Sequence, residues 1–247
     1  MMHAGRHRIK THGGIPHGST CNPGSNLNFY LQNTVGQLVT RWDDQSSNSN
    51  HASQGTSANQ PAAVAGGGLD FNDTNSASNA SMMDFTGSSF NVPVNTDFLM
   101  FVVWNPESTN SNAYLSDSTA EVFQLTSGSI ATFKTGSGAA NTPMTHNSVF
   151  SNSTGEKSVF MIHRTNGSTG TIKLYKNGLV CNGHNNGGTV NPGTFDIKNL
   201  GSKNDASNWF DGIMYDIGVV HGGPATDKAR QMITDYLCSK HGIERLG

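Results

Sequence analysis

The chain has 247 residues, 13% of them charged, with a formal net charge of −2. That balance excludes a bulk electrostatic pull toward nucleic acid or an anionic membrane surface, and no apolar run is long enough to cross a bilayer as a helix. The polar share comes from Asn, Ser, Thr and 29 Gly, which favour turns over helix, and the length suits one all-β domain with a sizeable core.

Residues 1–24 carry no hydrophobic period and lack the apolar segment of a signal peptide. The only charged residues there are Arg6, Arg8 and Lys10, and no acid precedes Asp43. This composition predicts an extended N-terminal arm, either a tail without regular structure or a docking arm that orders against a partner protein. His3, His7, His12 and His17 also fall here, at spacings that put them on no common face.

A single globular domain is predicted over 25–247. "LNFYLQ" and "QLVTRW" read as short strands. They lead into "RWDDQSSNSNHASQ", Arg41 to Gln54, for which a calcium loop, a sugar-binding loop and a tightly wound turn compete. An EF-hand loop needs Gly at its sixth position and Glu at its twelfth. Counted from Asp44, those positions hold Ser49 and Gly55, so the loop fails that pattern. The structural reading has Trp42 packing into the core, while Asp43 or Asp44, with Ser46 and Asn50, bonds to backbone groups of the turn.

"QPAAVAGGGLDF" reads as a turn entering a strand, with Gly66, Gly67 and Gly68 permitting positive φ. "FLMFVVW", Phe98 to Trp104, followed by Pro106, suits a strand buried on both faces. "EVFQLT", "IATFK" and "SVFMIH" follow as strands, and Asn177-Gly178 in "TIKLYKNGLV" predicts a type I′ hairpin. In "GIMYDIGVV", Ile213, Tyr215, Ile217 and Val219 alternate, so one core face is expected. The last element is a helix over "PATDKARQMITDYLCSKHG". Ala229, Met232, Ile233, Tyr236 and Leu237 form its predicted buried stripe, Thr226 its N-cap and Gly242 its stop. Cys238 is placed on or near that stripe as a small packed group. The three cysteines, Cys21, Cys181 and Cys238, are odd in number and form no C-x-x-C, so at least one is a free thiol or pairs between chains.

Many short strands, turn signals and one terminal helix imply an all-β, jelly-roll β-sandwich. The order of motifs also resembles the concanavalin A-like, laminin G-like jelly-roll domains of secreted bacterial proteins and bacteriophage virion proteins. The resemblance is carried by Trp42, Asp44, Ser46, Asn50, His51 and Ala52, then Gly68, Leu69, Asp70 and Phe71, then Phe210 and Gly212. It ends in Tyr236, Leu237, Lys240, Gly242 and Ile243. Where family members often have Ser-Gly-x-Gly-Asn, this chain has Ser46-Ser47-Asn48-Ser49-Asn50. The resemblance implies a concanavalin A-like sandwich and leaves open a Ca2+ site of the laminin type, with scattered ligands that the sequence does not assemble.

Glycosidases of this fold use a Glu-x-Asp-x-x-Glu strand that sets three carboxylates on one face. The four glutamates here, Glu107, Glu121, Glu156 and Glu244, lie nowhere near such spacing, and Gly-x-Ser-x-Gly and His-Glu-x-x-His are absent. The expectation is a non-enzyme without a cofactor. Its first form is a structural component of a bacteriophage particle, a capsid decoration or tail appendage assembled in the host cytoplasm and released by lysis. Its partners would be other virion proteins or further copies of itself, with host surface polysaccharide as an added contact. The alternative is a secreted or surface carbohydrate-binding module. Trp209 is the first candidate for stacking on a sugar ring and Tyr114 the second; for Trp209, a rim residue covering the sheet edge is the competing reading.

Overall fold

The computed structural model describes residues 27–32, 39–46, 48–64, 67–71, 80–85, 90–108, 112–116, 122–127, 130–134, 142–145, 155–165, 172–181, 194–202, 209–223 and 225–247. The arm expected over 1–24, with Arg6, Arg8 and Lys10, and Cys21 lie outside the described residues. Among the described residues the strands are β1 (Leu27–Gln32), β2 (Arg41–Trp42), β3 (Ala52–Ser53), β4 (Ala62–Ala63), β5 (Leu69–Phe71) and β6 (Met83–Phe85). Next come β7 (Phe90–Val92), β8 (Phe98–Pro106), β9 (Asn112–Ser116), β10 (Val122–Ser127), β11 (Ile130–Lys134) and β12 (Thr142–Thr145). The last are β13 (Ser158–Arg164), β14 (Ile172–Lys176), β15 (Leu179–Val180), β16 (Phe195–Ile197), β17 (Asn199–Leu200) and β18 (Gly212–His221), before helix α1 (Asp227–His241).

These strands form an antiparallel β-sandwich of jelly-roll type. The larger sheet runs β15-β14-β13-β8-β18-β5-β4, with β1 pairing β18 beyond β5. The second runs β12-β11-β10-β9-β17-β6-β3-β2, and β16 and β7 make a separate two-stranded ribbon. The sheets enclose one aromatic core. Phe71, Phe98, Trp104 and Phe160 of the large sheet meet Trp42, Phe85, Phe123 and Phe133 of the second, and Phe195 comes from the ribbon. Trp104 stacks on Phe123 across the gap at 5.9 Å between ring centres, which ties the two sheets at that point. A second apolar layer lies on the outer face of the large sheet, where Leu99, Phe101, Val103, Val159, Met161 and Val220 pack against Ile233, Leu237 and Cys238 of α1. That is why β8 is apolar at every position from Phe98 to Trp104: both its faces are covered.

The hairpin is as its sequence predicts, with Asn177 at φ 50° and Gly178 at φ 91° between β14 and β15. The strand over "QLVTRW" is shorter than expected, because Val39 and Thr40 form a turn and the ladder starts at Arg41.

Two expectations of facing are corrected. In β18, Met214 pairs with Trp104 but Asp216 pairs with Val103, so one extra residue bulges at Tyr215 and the alternation changes phase. Ile213 and Tyr215 therefore belong to the helix side, whereas Ile217 and Val219 belong to the sandwich interior. In α1, Met232 and Tyr236 are exposed, at 47% and 39%, and the buried face is Arg230, Ile233, Thr234, Leu237 and Cys238. Two polar residues enter that face, each with a partner close by. The Arg230 guanidinium lies over the Tyr175 ring, 4.1 Å from its centre, and the Thr234 hydroxyl donates to the Arg230 carbonyl at 2.8 Å. The caps are as expected: the Thr226 hydroxyl accepts from the Ala229 amide at 3.2 Å, and Gly242 takes the left-handed conformation.

Candidate functional site

The Trp42 turn uses its polar groups on itself. Trp42 is fully buried. The Asp44 carboxylate accepts from the Ser46 amide (2.8 Å), the Asn50 amide (2.8 Å) and the Ser46 hydroxyl (2.7 Å). The Asp44 amide in turn donates to His51 Nδ1 at 3.1 Å. Asp43 is half-buried and meets Arg41 Nε at 2.6 Å. Ser49 takes φ 58°, the left-handed position that a glycine occupies in the resembled pattern. One carboxylate organising three donors is what a tight turn needs. Among the described residues, no three His, Cys, Asp or Glu side chains are grouped in a way that fits a metal ion.

A different constellation forms on the outer face of the large sheet, on the part that α1 leaves uncovered. Asp70 on β5, Ile213 on β18 and Asn105 on β8 are direct cross-strand partners, so their side chains share that face. One step further along, the Glu107 amide donates to the Asp211 carbonyl at 2.8 Å, which brings the ends of β8 and β18 together. Phe71 and Phe210 point into the core and pack edge to face at 6.1 Å. Alternation then sends Asp70 outward, and Asp211, just ahead of β18, lies close enough to act on both Asp70 and Glu107. Gly212 makes the close approach possible: it sits at φ 137°, and a Cβ there would run into the Asn105 carbonyl.

The electrostatics of this corner are acidic. Burial first, and then the Asp211 carboxylate, raise Asp70 above the usual range. Burial, followed by Asp70 and Asp211, raises Glu107 in the same way. Lys157 supplies a cation at the border, with its ammonium 3.9 Å from the centre of the Tyr215 ring. Burial, followed by Asp70, raises the Tyr215 phenol. The Tyr215 ring also lies 5.5 Å from that of His241 between ring centres. His241 and Lys240 both bond Asp216, a fully buried carboxylate that Lys240 Nζ reaches at 2.8 and 2.9 Å. The bulge at Tyr215 explains this pair of contacts, because it turns two successive side chains of β18 toward the helix.

Trp209 is half-buried and stands two residues before Asp211 in the chain. Tyr114 lies on β9 of the other sheet, and its side chain falls outside the described residues, so the structure does not unite these two candidates. The carboxylate trio was not read from the sequence, where its members are far apart. The signal present was local: Asp70 lies between the core residues Leu69 and Phe71 of β5, Glu107 follows the end of β8, and Asp211 precedes the start of β18. Which strand ends adjoin is a matter of topology. The corner can accept hydrogen bonds at its carboxylates and donate from the Asn105 amide, and Asp70 and Glu107 take up protons more readily than isolated carboxyls.

No protein-family model matches the chain, and no curated protein sequence matches it. Solved structures do. Domain 4 of AbnA, a GH43 extracellular arabinanase from Geobacillus stearothermophilus in complex with arabinotriose, superposes with a TM-score of 0.56 at 15% identity, over 85% of this chain and 97% of that one. The binding domain of Paraclostridial Mosquitocidal Protein 1 gives 0.54 at 14% identity, over 86% of this chain and 52% of that one. Trypanosoma rangeli sialidase in complex with sialic acid gives 0.52 at 11% identity, over 87% of this chain but 33% of that one. The chain thus spans about half of the toxin domain and a third of the sialidase. At these identities the likeness is one of fold: the chain has the β-sandwich architecture of these domains.

Proposed function

We propose that this chain is a non-enzymatic recognition domain that binds glycans at the uncovered corner of its large sheet. The observation that carries the reading is the grouping of Asp70, Asn105, Glu107 and Asp211 at one corner of the large sheet, with the half-buried Trp209 two residues from Asp211 along the chain. An indole stacks on a sugar ring while carboxylates and amides hydrogen-bond its hydroxyls. The arabinanase domain bound to arabinotriose and the toxin binding domain support the reading by analogy of fold. The test is a glycan array probed with the wild-type chain, Trp209→Ala and Glu107→Gln, with release of reducing ends followed alongside. Binding to at least one glycan class, weakened in both variants and without release, is expected. Binding to none would sink the proposal, and release abolished by Asp70→Asn or Glu107→Gln would make the chain a hydrolase instead.

The proposed setting is a bacteriophage particle that carries the domain in many copies, with the basic N-terminal segment around Arg6, Arg8 and Lys10 docking on a neighbouring virion protein. Free thiols at Cys181 and Cys238 favour folding in a reducing cytoplasm, as particle assembly requires. Mass spectrometry of purified virions tests this, and absence of the chain from them refutes it.

A further inference from the structure

We propose that the burial of His163 makes the seating of α1 acid-sensitive: the imidazole is enclosed in its neutral form where the first turn packs on the large sheet, and a proton added at Nδ1 places a charge there that water reaches only when the turn lifts. His163 lies within β13, paired with Leu99 on one side and Lys173 on the other, and it faces the helix layer with 3% of its surface exposed. Its Nε2 is 3.0 Å from the carbonyl oxygen of Ala225, the buried residue just ahead of the N-cap. A carbonyl only accepts, so Nε2 carries the proton and Nδ1 is the free titrating position. This contact ties the link between β18 and α1 to the sheet. Two further bonds shape that link, from the Ala225 amide to the Gly222 carbonyl and from the Gly222 amide to the Asp97 carbonyl.

A second charge on this site is poorly accommodated. Nδ1 lies 3.5 Å from Asp227, but that carboxylate is 73% exposed and already meets Arg230 Nε at 3.2 Å. The Arg230 guanidinium is itself nearly buried on the Tyr175 ring, with one nitrogen, Nη1, unbonded among the described residues. The charged and titratable groups that face His163 are thus Asp227 and Arg230 from α1, Asp97 ahead of β8, and Tyr175 and Lys173 from β14. Burial outweighs the rest and holds His163 below the usual histidine range; Arg230 acts with burial, while the Ala225 bond, Asp227 and Asp97 oppose it. His221, at the start of the same link, is lowered by burial as well.

The direction of the pH effect follows from linkage. With the docked pKa below the free one, the lifted turn binds the proton more readily. Docking is complete above about pH 6.5 and weakens as pH falls below it. One titrating imidazole changes the docked-to-lifted ratio by up to about tenfold per pH unit until the docked pKa is reached. Lifting uncovers Leu99, Val159 and Met161 beneath the helix.

The experiment is amide hydrogen exchange across residues 228–233 at pH 7.5, 6.5 and 5.5, corrected for intrinsic rates, with β18 as internal reference. It compares the wild type with His163→Gln, whose amide nitrogen can donate to Ala225 but takes no proton. The wild type is expected to open up to about tenfold more per pH unit below 6.5, with β18 unchanged and His163→Gln flat. A flat wild type, an equal response in His163→Gln, or a response abolished by His221→Gln alone would overturn the proposal. If His163→Gln does not fold, the ring of His163 is titrated by NMR in the wild type. A midpoint at or above the ordinary histidine value overturns the proposal, and a lower midpoint that tracks helix opening supports it.

Discussion

Replacing Leu237 by Ala tests how α1 is seated. Leu237 is 1% exposed and lies between the helix and the outer face of the large sheet, in the cluster with Phe101, Val103 and Tyr175. The substitution deletes three carbons, for which transfer alone accounts for about 2.4 kcal/mol at about 0.8 kcal/mol per carbon. Incomplete collapse of the cavity brings the expected loss to roughly 3–4 kcal/mol, within the usual span for a buried leucine. For a domain of this size each kcal/mol moves the midpoint by about 2–4 °C, so calorimetry should register a drop of roughly 6–16 °C. Met232→Ala is the paired control. Its side chain is 47% exposed, and an exposed position of this kind changes stability by about 0.5 kcal/mol or less. Equal losses in the two variants would refute the seating described above and restore the stripe expected from apolar spacing. An unchanged midpoint in Leu237→Ala would show that the helix contributes nothing to the cooperative unit.

Two further outcomes are expected. Asp216→Asn removes the carboxylate that Lys240 and His241 share under the helix end; uncoupling a buried pair costs about 3–5 kcal/mol, read as a lowered urea midpoint, and an unchanged midpoint would contradict it. Burial pushes the Cys181 thiol up to about 12, and burial also raises Cys238. At pH 8 iodoacetamide should therefore leave both unlabelled in the native protein and label both in urea, with native labelling by mass spectrometry as the contrary result.

Much of the architecture is legible in the sequence because its signals are local. The run from Phe98 to Trp104 needs both faces covered, Asn177-Gly178 closes a hairpin through its own φ preferences, and Thr226 and Gly242 bound the helix through their own hydrogen bonds and left-handed geometry. The Trp42 turn is legible for the same reason, since the Asp44 carboxylate bonds residues within six positions of itself. What faces what was decided only in three dimensions. The bulge at Tyr215 comes from the register between β18 and β8 and has no mark in an alternating apolar strand. Arg230 and Thr234 enter the buried face of α1 because Tyr175 and a helix carbonyl receive them, while Met232 and Tyr236 stay outside. Asp70, Glu107 and Asp211 meet because β5, β18 and β8 are neighbours in the large sheet. Local propensity acts within a turn or a strand, whereas a constellation drawn from three strands exists only once long-range pairing has set the strand order.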